Sequence, residues 1–166
     1  MSALLTGLPY WGVFLVLFAE EAGLPLPVPG DFLIAALGAA GRSGRASFPA
    51  TALIVLVATV GGSAILFELS HRVGHPILRR AGPWIGFNAS RAARVERWLG
   101  GHGSWTIAGG RLVPGFRIIL SAAAGALHMN RAKFAASVAV ASVVWSAVYY
   151  WLGFALGAGV ARAFGR

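Results

Sequence analysis

Cysteine is absent from this 166-residue chain, which excludes disulfides and every thiolate metal site. Charge is scarce as well. Only 11% of the residues are Asp, Glu, Lys or Arg, against about a quarter in a soluble globule. Acidic residues are the scarcest, 5 against 14 Lys and Arg, for a net charge of +9. The four histidines, His71, His75, His102 and His128, show no ligand spacing such as HExxH, so no metal and no other cofactor is assigned. The basic residues do not interleave with aromatics as a nucleic-acid surface requires. What remains is apolar, 57% of the chain with a mean hydropathy of +0.72. That composition belongs to an integral membrane protein of one domain, residues 1–166. In such a protein, surplus Arg and Lys mark cytoplasmic loops and contact with anionic lipid.

The apolar runs are of two kinds. Ala50 to Leu69 and Phe134 to Leu152 are long enough to cross about 30 Å of hydrocarbon as helices at roughly 1.5 Å per residue. The second either continues to Ala161 or breaks near Gly153 and Gly157. In the first, Gly61-Gly62-Ser63-Ala64 lets another helix approach closely, and Glu68 near its end suits the interface. Trp145, Tyr149, Tyr150 and Trp151 fit packing or an aromatic belt, and no chemistry is assigned to them.

Leu8 to Ala19 is too short to span, and it lacks the basic start and small-residue cleavage site of a removable signal peptide. It is expected to stay. It meets Glu20-Glu21 and then an elbow with Pro25, Pro27 and Pro29-Gly30-Asp31, where prolines at alternate positions forbid a continuous helix. Phe32 to Ala40 resumes as a short helix. This reads as a re-entrant hairpin rather than one crossing, its irregular backbone facing protein or a cavity.

The polar stretch from His71 to Gly103 carries Arg72, Arg79, Arg80, Arg91, Arg94 and Arg97 against Glu96. It is either a solvated charged loop or, from Asn88 or Ser90 to Leu99, an interfacial helix whose arginines reach lipid phosphates. The positive-inside rule puts this linker, residues 71–103, in the cytoplasm.

A second broken run, Trp105 to Leu127, contains Gly110-Arg111-Leu112-Val113-Pro114-Gly115-Phe116-Arg117. Leu33 to Phe48 aligns with Ile119 to Phe134 at an offset of about 86 residues, matching Ala36 with Ala122, Arg45 with Arg131 and Phe48 with Phe134. Each copy follows a Pro-Gly elbow, Pro29-Gly30 or Pro114-Gly115, and precedes a spanning helix. The expected fold is therefore all-α and membrane-integral: two inverted halves, about 8–70 and 104–166, each a re-entrant hairpin followed by a spanning helix. Elbows of inverted repeats meeting near the midplane are the plan of many secondary transporters.

The charges in these buried stretches are Glu20, Glu21 and Asp31 in the first half and Arg111 and Arg117 in the second. Each costs roughly 2.5–3.5 kcal/mol at a helix centre, so the two elbows are expected to bring opposite charges together. A static ion-pair network is one outcome. Retained intramembrane charges more often mark a pathway. Arginine offers a planar fork matched to phosphate oxygens, which makes Arg111 and Arg117 candidate ligands for a lipid phosphate. Carboxylates in a low-dielectric site can exchange protons near neutral pH, which makes Glu20 and Asp31 candidates for proton coupling through a gradient. Glu21 either substitutes for Glu20 or faces the interface.

These residues carry a resemblance that runs over nearly the whole chain. Glu20-Glu21-Ala22-Gly23-Leu24-Pro25-Leu26-Pro27 with Pro29-Gly30-Asp31, and Gly110 to Arg117 followed by Ser121 and Ala124-Gly125, resemble the DedA family of bacterial inner-membrane proteins. That family is related to the eukaryotic VTT-domain (SNARE-associated) proteins. The resemblance implies a multi-pass inner-membrane flippase for undecaprenyl phosphate or a phospholipid, dependent on the proton gradient, with functional residues at Glu20, Asp31, Arg111 and Arg117. The chain departs from the family's Gly-Asp-x-x-x-Tyr pattern, having Ser63 and Phe67 in place of its aspartate and tyrosine. A passive scramblase and a non-transporting scaffold stay open as readings, as does a homo-oligomer. A lipid phosphatase fits less well, since His102 and His128 flank the second hairpin rather than enter it.

Overall fold

The computed structural model describes residues 10–24, 26, 29–73, 105, 107–112 and 116–164, with 158–164 as backbone only. The described elements are all helical: α1 (Tyr10–Glu21), α2 (Gly30–Gly41), α3 (Phe48–Val73), α4 (Phe116–Ala126) and α5 (Arg131–Phe164), with a further helical turn over 107–110. Two of them, Phe48–Val73 and Arg131–Gly157, are long and apolar enough to cross a membrane. Both outrun the expected spans, and α5 continues through Gly153 and Gly157 without the break offered as one alternative. Glycine costs a helix only about 1 kcal/mol, and here both positions are packed: Gly153 lies against the Ala35 carbonyl and Gly157 against Ala39. The expected interfacial helix near 88–99, and Pro25, Pro27, Pro114 and Gly115 of the elbows, lie outside the described residues.

Short-range hydrogen bonding ends the short helices where the sequence bends. After α1, Leu24 N–H reaches the Ala19 carbonyl and Gly23 N–H the Glu20 carbonyl, both at 3.0 Å, with Gly23 at φ +99°. This is a Schellman cap, whose left-handed residue costs glycine nothing. It leaves Glu20 and Glu21 in the last turn of α1. The same cap closes α2 with Gly44 at φ +72° and α4 with His128 at φ 56°.

Packing follows the small residues. α2 lies against α5 and α4 against α3, while α1 and α5 also pack on α3. Each short helix that follows an elbow thus rests on the spanning helix of the other half of the chain. The close approach expected at Gly61–Ala64 is made by α1: a side chain at Gly62 would strike the Phe18 carbonyl and Glu21. Where α2 crosses α5, Gly38 meets the Tyr150 backbone.

Two apolar clusters hold the helices together. One contains Val13, Leu17, Leu33, Ile34, Val55, Ala58, Trp145 and Tyr150, the other Phe67, Ile107, Leu120, Ala124, Phe134 and Val138. Along α3 the chain leaves the first cluster at Ala58 and enters the second at Phe67. Along α5 it leaves the second at Val138 and enters the first at Trp145. The two long helices therefore run in opposite directions, and both cross a polar layer between the clusters. Thr59 and Ser142 mark that layer, their hydroxyls 2.5 Å apart.

Candidate functional site

Three elements deliver charge or hydroxyls to the polar layer alongside Ser142 of α5. α1 contributes Glu20 and Glu21 from its capped last turn. The turn at Arg111 and the start of α4 contribute Arg111, Arg117 and Ser121. α3 contributes Thr59 and Ser63, four residues apart and so on one face.

Glu21 and Arg111 form its centre. The Arg111 Nη2 donates to Glu21 Oε2 at 2.5 Å, with side chains 3% and 1% exposed respectively. Ser63 Oγ donates to the same carboxylate oxygen at 2.6 Å and accepts from Arg111 Nη2 at 2.9 Å. Arg111 Nη1 donates to Ser121 Oγ at 2.7 Å. Ser121 in turn donates to the Arg117 carbonyl at 2.9 Å. A buried ion pair holds only when hydrogen bonds satisfy its remaining atoms, and Arg111 here has three partners.

Arg117 is less completely satisfied. Its Nη2 donates to Glu20 Oε1 at 2.7 Å. Its Nη1 stands 3.2 Å from Glu21 Oε1, yet neither atom has a hydrogen-bond partner among the described residues. The distance gives Coulomb attraction while the alignment gives no bond. The guanidinium carbon lies 4.4 Å from the centroid of the Trp145 ring. Glu21, Arg117, Thr59, Ser142 and Trp145 border a space of about 10 Å³, room for roughly one water and far too small for a phosphate.

Glu20 ties the site to the elbow. Its Oε2 accepts the Gly30 N–H at 3.0 Å, and a side chain on Gly30 would overlap both that carboxylate and Leu17. Glycine at the start of α2 is what lets the two helices close on one carboxylate.

The expected charges are therefore brought together with two corrections. Glu21 does not face the interface: it is the most buried carboxylate of the described set, and it stands beside Glu20 with its Oε1 3.2 Å from Arg117 Nη1. Asp31 makes no ion pair among the described residues. Its Oδ1 accepts the indole N–H of Trp145 at 2.7 Å instead, so Trp145, read from sequence as packing or an aromatic belt, borders the charged cluster. Glu68 lies apart, one-third exposed and bonded to Arg131 and Arg72 where α3 ends and α5 begins. Thr59 and Ser142 also escaped sequence reading, and Ser63 stood out there only for close helix approach and as a departure from the family pattern. Their signal was present: Thr51, Thr59 and Ser63 at multiples of four on α3, and Ser142 and Ser146 on α5, form polar stripes on otherwise apolar helices.

No solved structure matches the chain. Among curated relatives, it is 24% identical over 148 residues to the uncharacterized membrane protein YbfM of Bacillus subtilis, covering 89% of this chain and 90% of that protein. It is 32% identical over 149 residues to the inner membrane protein YabI of Escherichia coli, where the match covers 89% of this chain but 58% of the relative. A third relative, undecaprenyl phosphate transporter A of Staphylococcus aureus, is 22% identical over 141 residues, 82% of this chain and 68% of that protein. The family model for the VTT domain matches residues 28–155, a span that takes in Asp31, Ser63, Arg111, Arg117 and Trp145, and the chain belongs to the VTT-domain family of DedA-type membrane proteins.

Proposed function

We propose that this chain is a lipid transporter that moves a phosphate-bearing lipid, undecaprenyl phosphate or a phospholipid, across the bacterial inner membrane, driven by protons. The observation that carries the reading is the confrontation of Glu20 and Glu21 with Arg111 and Arg117 inside the polar layer of a membrane protein. Such a cluster is costly unless it is compensated, and its anionic members occupy the guanidiniums that a phosphate would take. The space beside Arg117 has room for a water but not for a head group, so in this reading the cluster must open to admit one.

The two arginines divide the work. Arg111, with three hydrogen-bonded partners, anchors Glu21. Arg117, 12% exposed beside the unfilled space, takes the phosphate first. Protonation of Glu20 would release Arg117 Nη2 and let a phosphate oxygen replace the carboxylate. Exposed Phe32 and Phe116, next in sequence to Asp31 and Arg117, offer apolar surface for the lipid chain.

The reading includes two re-entrant hairpins in inverted halves, with the basic linker 71–103 on the cytoplasmic side. In support, α3 and α5 run in opposite directions and each short helix after an elbow packs on the other half's spanning helix. The name of the Staphylococcus aureus relative supports the substrate class and a transporter rather than an enzyme.

The test is translocation of a fluorescent phosphate lipid in proteoliposomes containing the purified chain. Arg117→Ala is expected to abolish it while the variant still elutes as a folded species. Unchanged translocation by Arg117→Ala would refute the assignment, and release of inorganic phosphate would mark an enzyme.

A further inference from the structure

Asp31 behaves unlike the carboxylates around it. Glu20 and Glu21 take the arginines, whereas Asp31 Oδ1 accepts a neutral donor, the Trp145 indole N–H, at 2.7 Å. It sits in the first turn of α2, where the free backbone N–H groups favour negative charge. A helix N-terminus and an indole N–H together hold this carboxylate, with no cation paired to it among the described residues.

Trp145 has Arg117 on its other function. Trp145 is 6% exposed and belongs to the apolar cluster that includes Val13, Leu17, Leu33 and Val55, so its ring has little freedom once its N–H is fixed. The Arg117 guanidinium lies over it at 4.4 Å. Contact with an aromatic ring holds a guanidinium through charge and dispersion and uses none of its five N–H donors. Arg117 is thus positioned by a group that does not compete for its hydrogen bonds, and its Nη1 has no such bond among the described residues.

We infer that Trp145 is the positioning residue of the phosphate site, and that Asp31 acts through it as a hydrogen-bond acceptor. Asp31 fixes the indole, and the indole fixes the guanidinium that receives the phosphate. This rests on the proposed assignment of Arg117 to the lipid phosphate. It makes a specific distinction: an acceptor need not be ionisable, whereas a proton carrier must be, and an ion-pair partner must be charged.

The experiment compares Asp31→Asn, Asp31→Ala, Trp145→Phe and the double variant Asp31→Ala/Trp145→Phe in proteoliposomes holding a fluorescent phosphate lipid. Asn keeps an acceptor oxygen, so Asp31→Asn is expected to raise the half-saturating lipid concentration less than Asp31→Ala does, and to keep the pH profile of the wild type. Trp145→Phe keeps a ring but loses the N–H and should raise the half-saturating concentration by about tenfold, the worth of one charge-assisted hydrogen bond, with a smaller change in maximal rate. Asp31→Ala should do the same, and the double variant no more than either. Loss of transport or a shifted pH profile in Asp31→Asn would overturn the inference, as would additive effects in the double variant.

A second measurement needs no lipid movement. The emission of Trp145 is the difference between wild type and Trp145→Phe. Removing Arg117 or replacing Asp31 by Ala is expected to shift that component, and replacing Asp31 by Asn to leave it. If no variant transports but the emission follows this order, the transport reading fails and the Asp31–Trp145–Arg117 linkage stands. If Asp31→Ala leaves the emission unchanged, the linkage itself is refuted.

Discussion

Glu21 and Arg111 come from opposite halves of the chain and meet at 2.5 Å with almost no exposure. Removing one partner leaves the other charge buried, which costs about 3–5 kcal/mol, whereas replacing both by apolar residues of similar volume is often neutral. Glu21→Ala and Arg111→Ala are each expected to unfold at markedly lower temperature in detergent. The double variant Glu21→Leu/Arg111→Met should recover most of that loss while leaving lipid transport impaired. Thermal unfolding followed by circular dichroism, paired with the vesicle assay, separates the two effects.

At Arg117 the charge alone should not suffice. Lysine would keep the ion pair with Glu20 but lose the planar fork and its contact over the Trp145 ring. Arg117→Lys is therefore expected to fold normally and to transport phosphate lipid at least about tenfold more slowly, a loss of roughly 1.4 kcal/mol in transition-state stabilisation. Initial rates in proteoliposomes at matched protein content check this.

How far the site could be read from sequence depended on which residues were expensive to bury. Carboxylates and guanidiniums in apolar runs need a partner wherever they go, so Glu20, Glu21, Arg111 and Arg117 could be grouped from their residue types and surroundings. Asp31 could not be placed by that argument, because an indole N–H and a helix N-terminus satisfy it as well as a cation does. Trp145 was hidden for the opposite reason: a tryptophan in an apolar helix gains by burying its ring, and the sequence gives no sign of which acceptor its N–H takes. The two long helices were legible from length and hydropathy, but their ends were not. α3 runs to Val73, and α5 runs through Gly153 where that glycine packs against the Ala35 carbonyl, a contact hydropathy does not report. The short α1 and α2 were legible from the prolines between them.

Two glycines separate backbone strain from crowding. Gly44 is left-handed at φ +72° with open space where a side chain would project, whereas a side chain on Gly38 would strike the Tyr150 backbone. Gly44→Ala is expected to cost about 1 kcal/mol, the left-handed penalty alone. Gly38→Ala must push α2 off α5 and is expected to cost more, roughly 1–3 kcal/mol, with Tyr150 losing its 3.3 Å bond to the Ala46 carbonyl. Unfolding curves for the two variants should rank them in that order.

Thr59 and Ser142 join the two long helices, and each hydroxyl also lies 2.7 Å from a carbonyl of its own helix, Val55 for Thr59 and Val138 for Ser142; with one proton apiece, one hydroxyl donates across while the other donates to its own helix. Breaking the cross-link therefore leaves neither oxygen unpaired. Thr59→Val is expected to cost under about 1 kcal/mol, in the range seen for single interhelical hydrogen bonds in membranes, and a double-mutant cycle with Ser142→Ala should give a small coupling.

Glu20 carries the proton-coupling part of the proposal, because it alone holds both Arg117 and the Gly30 N–H. Protonation at low pH weakens its hold on Arg117 and leaves the second carboxylate oxygen free to keep accepting from Gly30. Glu20→Gln imitates that state permanently: the amide oxygen still accepts from Gly30, and the charge that competes with phosphate is gone. Wild-type transport is therefore expected to rise as the pH falls on the loading side, and Glu20→Gln to transport at a rate independent of that pH. The measurement is the initial rate against pH, with and without an imposed proton gradient. A Glu20→Gln profile that still follows the wild type would move the coupling to Glu21, whose Oε1 faces Arg117 Nη1 at 3.2 Å.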